Sequence, residues 1–182
     1  AGRRQRTRCS TDRIRDKGKH QMTRKLQSQR RGPANPGSVV VLLHGRGSNE
    51  RDLMGLLPRL PKDLIALFPR ATFPGAPWGY GAGWAWYRYL GGTSPEPKSF
   101  SASIEALGAL LDTIPEAVGV RPGPLVLGGF SQGGTMSTAF ALADPGRVEM
   151  VLNFSGFLAN HPDVQVTEEN ASALKIFWGH GL

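Results

Sequence analysis

The sequence predicts an α/β fold in which a mostly parallel sheet is flanked by helices. Short runs of Val, Ile and Leu alternate along the chain with segments that carry apolar residues at helical spacing. The first run, Val39–Leu43, is continuously apolar, which is typical of a strand buried on both faces of a parallel sheet. The 182 residues suffice for one domain with a sizeable core.

The first half of this domain predicts two strands joined by a helix. After the strand at Val39–Leu43, Ser48 or Asn49 can cap a helix that runs to about Leu60, with leucines along one face. The apolar run Leu64–Phe68 predicts the second strand.

Residues 69–98 predict a long irregular loop that is rich in glycine, proline and aromatic residues. Long loops inside compact domains are more often functional than accidental. We expect some of the rings to cover the sheet edge, and one or two, such as Trp86, to wall an apolar cleft. The aromatic residues concerned are Trp78, Tyr80, Trp84, Trp86, Tyr87 and Tyr89.

The second half continues the alternation, which places ligands at the carboxyl ends of the strands. The predicted elements are a helix from Ser99 or Ser101 to about Val118, a strand at Leu125–Phe130, a helix at Gln132–Ala143, and strands at Val148–Phe154 and Leu174–Trp178.

The clearest chemical signal is the stretch from Gly129 to Gly133, which fits the pattern G-x-S-x-G between a strand and a helix. So sharp a turn puts the central Ser131 at positive φ and admits only small side chains two residues before and after it. The hydroxyl then stands at a helix N-terminus, where free N–H groups favour negative charge. A Gly/Ser-rich loop is the alternative, but the strand–turn–helix context favours a nucleophile.

An acyl-transfer nucleophile needs two N–H donors for the oxyanion. The N–H of Gln132, the residue after the serine, is one candidate, and the N–H of Arg46, in the turn after the first strand, is the other. Gly45 and Gly47 allow that backbone to approach a substrate closely. We expect His44 to hold the loop by hydrogen bonds rather than to act as a base.

Three motifs together resemble the phospholipase/carboxylesterase family of α/β-hydrolases, which includes acyl-protein thioesterases and small bacterial carboxylesterases. The motifs are Leu43-His-Gly-Arg-Gly47, Gly129-Phe-Ser-Gln-Gly-Gly134 and Phe177-Trp-Gly-His-Gly181, and the resemblance covers residues 38–182. It implies an α/β-hydrolase-type, mostly parallel sheet with flanking helices. It also implies a small hydrolase of carboxylic esters or thioesters.

The same resemblance assigns roles to individual residues. It implies Ser131 as the catalytic nucleophile and the backbone N–H groups of Arg46 and Gln132 as the oxyanion hole. The residues around Trp86 resemble the segment that forms the acyl pocket of the family.

The chain departs from the family at its end. In the family the acid of the triad follows the last His-Gly turn and the base histidine lies one strand further on, so we expect both, with the last strand and helix, beyond Leu182. The chain as given should then be almost inactive. His180 resembles a non-catalytic histidine of that turn. His161 with Asp163 is the remaining substitute base, and it would have to reach hydrogen-bonding distance of Ser131.

The net charge of +8 belongs to the N-terminal part of the chain. Residues 1–35 hold 12 Lys/Arg and 2 Asp/Glu, whereas the remaining residues hold 10 and 12. We therefore predict a basic, disordered tail at 1–37 and a hydrolase domain at 38–182. The tail could be a nucleic-acid or membrane arm or a transit peptide; we favour a solvated tail, or residues upstream of a start at Met22.

Composition narrows the compartment and the partners. No apolar run approaches the ~20 residues of a membrane span, and the N-terminus lacks the apolar segment of a secretory signal. Cys9 is the one cysteine, so it has no partner for an internal disulfide. We predict a cytoplasmic protein that acts on a small acyl ester or thioester without a metal or cofactor.

Two other classes of function compete with the hydrolase. One is a non-catalytic acyl-binding or interaction protein that has lost its triad. The other is a nucleic-acid-binding protein that acts through residues 1–31, and it ranks last because nothing in the tail supplies aromatic stacking or base readout.

Overall fold

A six-stranded sheet forms the centre of the computed structural model, which describes residues 27–32, 37–115 and 124–181. Its strands are β1 (Ser28–Arg31), β2 (Ser38–Leu43), β3 (Leu64–Pro69), β8 (Leu125–Phe130), β9 (Met150–Phe154) and β10 (Lys175–Gly179). They lie in the order β1-β3-β2-β8-β9-β10, and β1 alone runs antiparallel to its neighbour. The predicted mostly parallel sheet is therefore confirmed.

Two small hairpins, three α-helices and two 3₁₀ helices, Asp52–Arg59 and Ala76–Trp78, complete the regular structure of the described residues. The hairpins pair β4 (Phe73–Pro74) with β5 (Trp84–Ala85) and β6 (Tyr89–Gly91) with β7 (Ser94–Pro95). The helices are α1 (Pro97–Asp112), α2 (Gln132–Ala143) and α3 (Glu168–Ala173). In the described part of the chain, no helix is long and apolar enough to cross a bilayer.

The central strand β2 is buried on both faces, and each face belongs to a different core. Val39, Val41 and Leu43 pack with residues of α1 and α2. Val40 and Leu42 pack on the other face with β3 residues and with leucines of a 3₁₀ segment. This explains the continuous apolar run, because alternate residues of a strand point to opposite faces.

Two predicted helix starts differ from the structure. The segment after β2 is a 3₁₀ helix, Asp52–Arg59, rather than an α-helix capped at Ser48 or Asn49. Gly55 and Pro58 lie inside it, and both residue types disfavour an α-helix interior.

The helix α1 starts earlier than predicted, and its N-cap is a carboxylate rather than a serine. Pro97 occupies the first turn, and the Glu96 side chain accepts a hydrogen bond of 2.8 Å from the N–H of Ser99. Helix α2 has the predicted bounds, and α3 was not predicted; a reciprocal cap between Thr167 and Asn170 starts it.

The predicted disorder is wrong for the last part of the tail. Ser28–Arg31 forms β1, whose residues pair with β3 from Pro69 to Ala66. This strand is held by main-chain pairing at a sheet edge, which needs no apolar side chains, so hydropathy did not reveal it. Residues 1–26 and 33–36, where the rest of the predicted tail falls, lie outside the described residues.

At the opposite edge, β10 presents apolar side chains to solvent. Ile176, Phe177 and Trp178 are 39%, 54% and 44% exposed, and in the described residues β10 pairs with β9 alone. A strand edge of this kind can pair with another chain.

We expect Phe177→Lys to raise the highest protein concentration at which the chain remains monomeric by several-fold. The reason is that a lysine on an edge strand opposes edge-to-edge pairing. Size-exclusion chromatography with light scattering measures it. The matched control is Leu90→Lys, at a residue that is 57% exposed but lies in the hairpin strand β6. An equal effect of both substitutions would contradict a role for the β10 edge.

Candidate active site

Ser131 lies in a strained turn between β8 and α2. Its φ is 53° and its ψ is −116°, so the predicted positive φ is confirmed. The Ser131 N–H donates to the carbonyl of Phe154 over 2.8 Å, and its own carbonyl accepts from the N–H of Thr135 over 3.0 Å. These bonds hold the backbone in the sparsely populated conformation and leave the half-buried side chain at the start of α2.

Small residues are required on both sides of this turn. A Cβ built on Gly129 would lie 2.5 Å from the carbonyl carbon of Gly133 and 2.6 Å from the carbonyl oxygen of Leu43. A Cβ on Gly133 would overlap the same Leu43 oxygen and lie 2.8 Å from the carbonyl oxygen of His44. The start of α2 therefore rests directly on the backbone at the end of β2.

The loop after β2 lies against the serine turn. A Cβ on Gly45 would be 3.1 Å from the Phe130 ring, so the two segments are in contact. Gly45 immediately precedes Arg46, and Phe130 immediately precedes Ser131. Gly47 has a φ of 76°, and its N–H donates to the carbonyl of Trp84 over 2.8 Å. Both glycines therefore lie close to neighbouring segments of the chain, whereas their predicted approach to a substrate stays a prediction.

Two N–H groups near the serine have no acceptor among residues 27–32, 37–115 and 124–181. In the described residues, the backbone N–H groups of Arg46 and Gln132 donate no hydrogen bond, although the N–H of Gly47 and that of Ser48 are both paired. Gln132 is the first residue of α2, where the N–H has no partner within the helix. Unpaired N–H groups on two loops in contact are the arrangement that an oxyanion requires.

His44 is a buried, neutral residue that holds the loop. Its Nε2 accepts from the N–H of Ala71 over 3.0 Å, so its Nδ1 carries the proton and donates to the carbonyl of Gly45 over 2.7 Å. Burial lowers the pKa of the ring below its ordinary value. Both nitrogens are occupied, which leaves none to take a proton from a serine.

Trp86 does not occupy the predicted position in a cleft wall. Its side chain is fully buried, and its Nε1 donates to the carbonyl of His44 over 2.9 Å. The indole packs beside the imidazole, with ring centroids 5.5 Å apart. A ring without accessible surface cannot touch a ligand. Trp86 instead supports the loop after β2 through its hydrogen bond to His44.

The side chain of Gln132 makes a structural link at the site that the sequence did not indicate. Its Oε1 accepts from the N–H of Trp86 over 3.1 Å, and its Nε2 donates to the carbonyl of Tyr87 over 2.9 Å. Both bonds are buried and join α2 to the long aromatic loop. The sequence could not show this role, because the two partners are more than 40 residues away and are backbone groups.

A partly buried ion pair joins Glu50, in the segment after β2, to Arg70, which follows β3. Arg70 donates to both carboxylate oxygens of Glu50 over 2.6 Å, and its guanidinium lies 5.0 Å from the centre of the Trp84 ring. The hydrogen bonds from Arg70 lower the pKa of Glu50 to about 2. Because Ala71, the donor to His44, is the next residue, this pair helps to position the histidine.

The two other histidines of the described residues, His161 and His180, make no contact with the serine. The Nδ1 of His161 accepts from the N–H of Asp163 over 3.1 Å, and its ring packs on Phe100 with centroids 4.7 Å apart. His180 follows β10 and is exposed. Within the described residues, no histidine or carboxylate hydrogen-bonds to Ser131, so the His161 alternative lacks the contact that it requires.

A strained serine between a parallel strand and a helix, beside unpaired N–H groups, defines an α/β-hydrolase-type site. The fold agrees with two solved structures. Esterase PE8 superposes with a TM-score of 0.65 at 22% identity, covering 87% of this chain and 90% of that chain. Acyl-protein thioesterase 2 of Zea mays superposes with a TM-score of 0.60 at 22% identity, covering 82% and 74%.

The chain belongs to the phospholipase/carboxylesterase family, whose sequence profile matches residues 29–182. It is 31% identical over 158 residues to acyl-protein thioesterase 1 from two strains of Cryptococcus neoformans var. neoformans serotype D. The match covers 79% of this chain and 65% of each relative, so the chain spans less than two thirds of their length.

We expect Gln132→Ala to destabilise the fold by about 1–3 kcal/mol, because it leaves the buried N–H of Trp86 and the carbonyl of Tyr87 unpaired. Urea denaturation measures the change. Gln165→Ala is the control, since that side chain is exposed and bonds only to a nearby carbonyl. Equal effects of the two substitutions would show that the amide bonds of Gln132 contribute little.

We expect the Glu50–Arg70 pair to make the free energy of unfolding depend on pH in the acidic range. The pKa of Glu50 falls from 4.5 to about 2 on folding, so its contribution is complete above pH ~4.5 and is lost as the pH falls towards 2. The maximum is roughly 2–3 kcal/mol. Glu50→Gln should flatten this part of the pH–stability curve, whereas Glu105→Gln, at an exposed position, should not. Parallel curves for wild type and Glu50→Gln would contradict the assignment.

Proposed function

We propose that this protein is a serine hydrolase that cleaves carboxylic esters or thioesters through an acyl-enzyme on Ser131. One observation carries the proposal: Ser131 is held at a φ of 53° where the loop after β2 touches the start of α2. The unpaired N–H groups of Arg46 and Gln132 lie on these two segments. Membership of the phospholipase/carboxylesterase family supports the same reaction class.

In this mechanism the Oγ of Ser131 attacks the acyl carbonyl and forms a tetrahedral intermediate. The N–H groups of Arg46 and Gln132 donate to its oxyanion, and the N-terminus of α2 favours the same negative charge. Collapse of the intermediate breaks the bond to the leaving group, which departs as the alcohol or thiol with the proton that Ser131 gave up, and the acyl group stays on the serine. Water then attacks this ester, and the acid is released.

We place the general base and its acidic partner outside the described residues. Both nitrogens of His44 are occupied, and the ring of His161 packs on Phe100. Without a base, the oxyanion hole and substrate binding leave only about 10³–10⁴ of rate enhancement over water. The chain as given should therefore be a slow hydrolase. We propose that it acts on small acyl substrates, in a reducing compartment such as the cytoplasm.

A non-catalytic acyl-binding protein is the second candidate function. The absence of a described base in contact with Ser131 favours it. The two functions differ in whether the serine hydroxyl reacts, because an acyl-binding protein needs the cleft but no nucleophile.

We expect a fluorophosphonate probe to label Ser131 slowly, and p-nitrophenyl acetate to be hydrolysed slowly but above the rate in buffer. Ser131→Ala should abolish labelling and reduce hydrolysis to the background rate. Ser172→Ala is the control, since that hydroxyl is exposed on α3 and bonds to the carbonyl of Glu169. Mass spectrometry identifies the labelled residue, and absorbance follows the ester.

Full hydrolysis by Ser131→Ala would rule out the acyl-enzyme. Absence of any label on the wild-type serine would favour the acyl-binding protein.

A further inference from the structure

The side chain of Arg46 leaves the oxyanion loop and lies against two tyrosine rings. Its guanidinium carbon is 4.8 Å from the centre of the Tyr80 ring and 5.4 Å from that of Tyr89. Both distances are within the range of a cation–π interaction. The residue is nevertheless exposed, so the guanidinium is held in place while it remains accessible.

The two rings are themselves fixed by their hydroxyl groups. The Tyr80 hydroxyl accepts from the N–H of Tyr89 over 2.8 Å, and the Tyr89 hydroxyl donates to the carbonyl of Gly92 over 2.9 Å. An arginine stacked between fixed rings loses less side-chain freedom when it binds a ligand than a free surface arginine does.

No carboxylate of the described residues forms an ion pair with Arg46. The ion pairs of the described residues involve Arg70, Arg147, Lys175 and His161 on the basic side, and none involves Arg46. Arg70, which follows β3, differs in this respect, because it binds both carboxylate oxygens of Glu50.

The position of this cation relates it to the reaction. Arg46 would donate its backbone N–H to the oxyanion. Its side chain starts at the Cα atom that is bonded to this nitrogen, so it begins close to the scissile carbonyl. A planar guanidinium binds a carboxylate through two parallel hydrogen bonds. A substrate with a carboxylate a few bonds from its scissile carbonyl could therefore contact both the backbone and the side chain of the same residue.

We propose that Arg46 selects substrates whose acyl group carries a carboxylate, such as half-esters or half-thioesters of short dicarboxylic acids, over neutral acyl groups. The proposal rests on the proposed function in one respect, because it takes Ser131 as the reacting group. It rests otherwise on the open cation, its fixed aromatic support and its place in the loop.

The test measures binding, which does not require the serine to react. Isothermal titration calorimetry compares monomethyl glutarate, which is an anion, with dimethyl glutarate, which has the same carbon chain and no charge. We expect the anion to bind more tightly to the wild-type chain, and to bind less tightly as salt is raised.

Three substitutions locate the effect. Arg46→Gln should weaken binding of the anion by about five- to tenfold, which is in the range of a single accessible charged contact. Arg46→Lys keeps the charge and should lose less. Arg59→Gln removes the same charge from an exposed position in the 3₁₀ segment and should change nothing. Circular dichroism checks that each variant is folded.

Equal binding of the two glutarates, no binding of the anion by the wild type, or equal losses in Arg46→Gln and Arg59→Gln would each overturn the proposal. Selective binding through Arg46 would support it even if no probe labels Ser131, and in that case the hydrolase proposal alone fails. Labelling of Ser131 without selective binding would leave a hydrolase that does not recognise acidic acyl groups.

Discussion

The close contact between the end of β2 and the start of α2 is the constraint on which the site depends. Gly133 lies against the carbonyls of Leu43 and His44, at a distance that no Cβ could tolerate. Gly129 meets the same helix turn from the other side. The chain must therefore reverse direction at Ser131, which takes the positive φ, and the two loops that carry the unpaired N–H groups are brought together by the same contact.

Buried hydrogen bonds to backbone groups hold this arrangement in place. The imidazole of His44 connects its own loop to Ala71, and the amide of Gln132 connects α2 to the backbone at Trp86 and Tyr87. Each bond is made by a polar side chain away from water, where leaving a partner unpaired is costly. Such a network positions donors before a substrate arrives, which is the condition for electrostatic stabilisation of an oxyanion.

The charged and titratable groups around the loop differ in their surroundings. Glu50 and Arg70 neutralise each other beside Trp84, and His44 is kept neutral by burial. Arg46 is left positive and accessible between two tyrosines. Arg46 thus combines an unpaired backbone N–H with an exposed cationic side chain, as far as the described residues go.

The sequence by itself determined the parallel sheet, the bounds of α2 and the conformation of Ser131. These features depend on local patterns, namely a continuous apolar strand and the sharp turn that the glycines beside Ser131 permit. Only the tertiary structure decided that Trp86 is buried, that Gln132 bonds to the aromatic loop, and that Ser28–Arg31 joins the sheet. The reason is physical: each of these outcomes is set by backbone partners that are distant in sequence, and a side chain's own pattern carries no record of them.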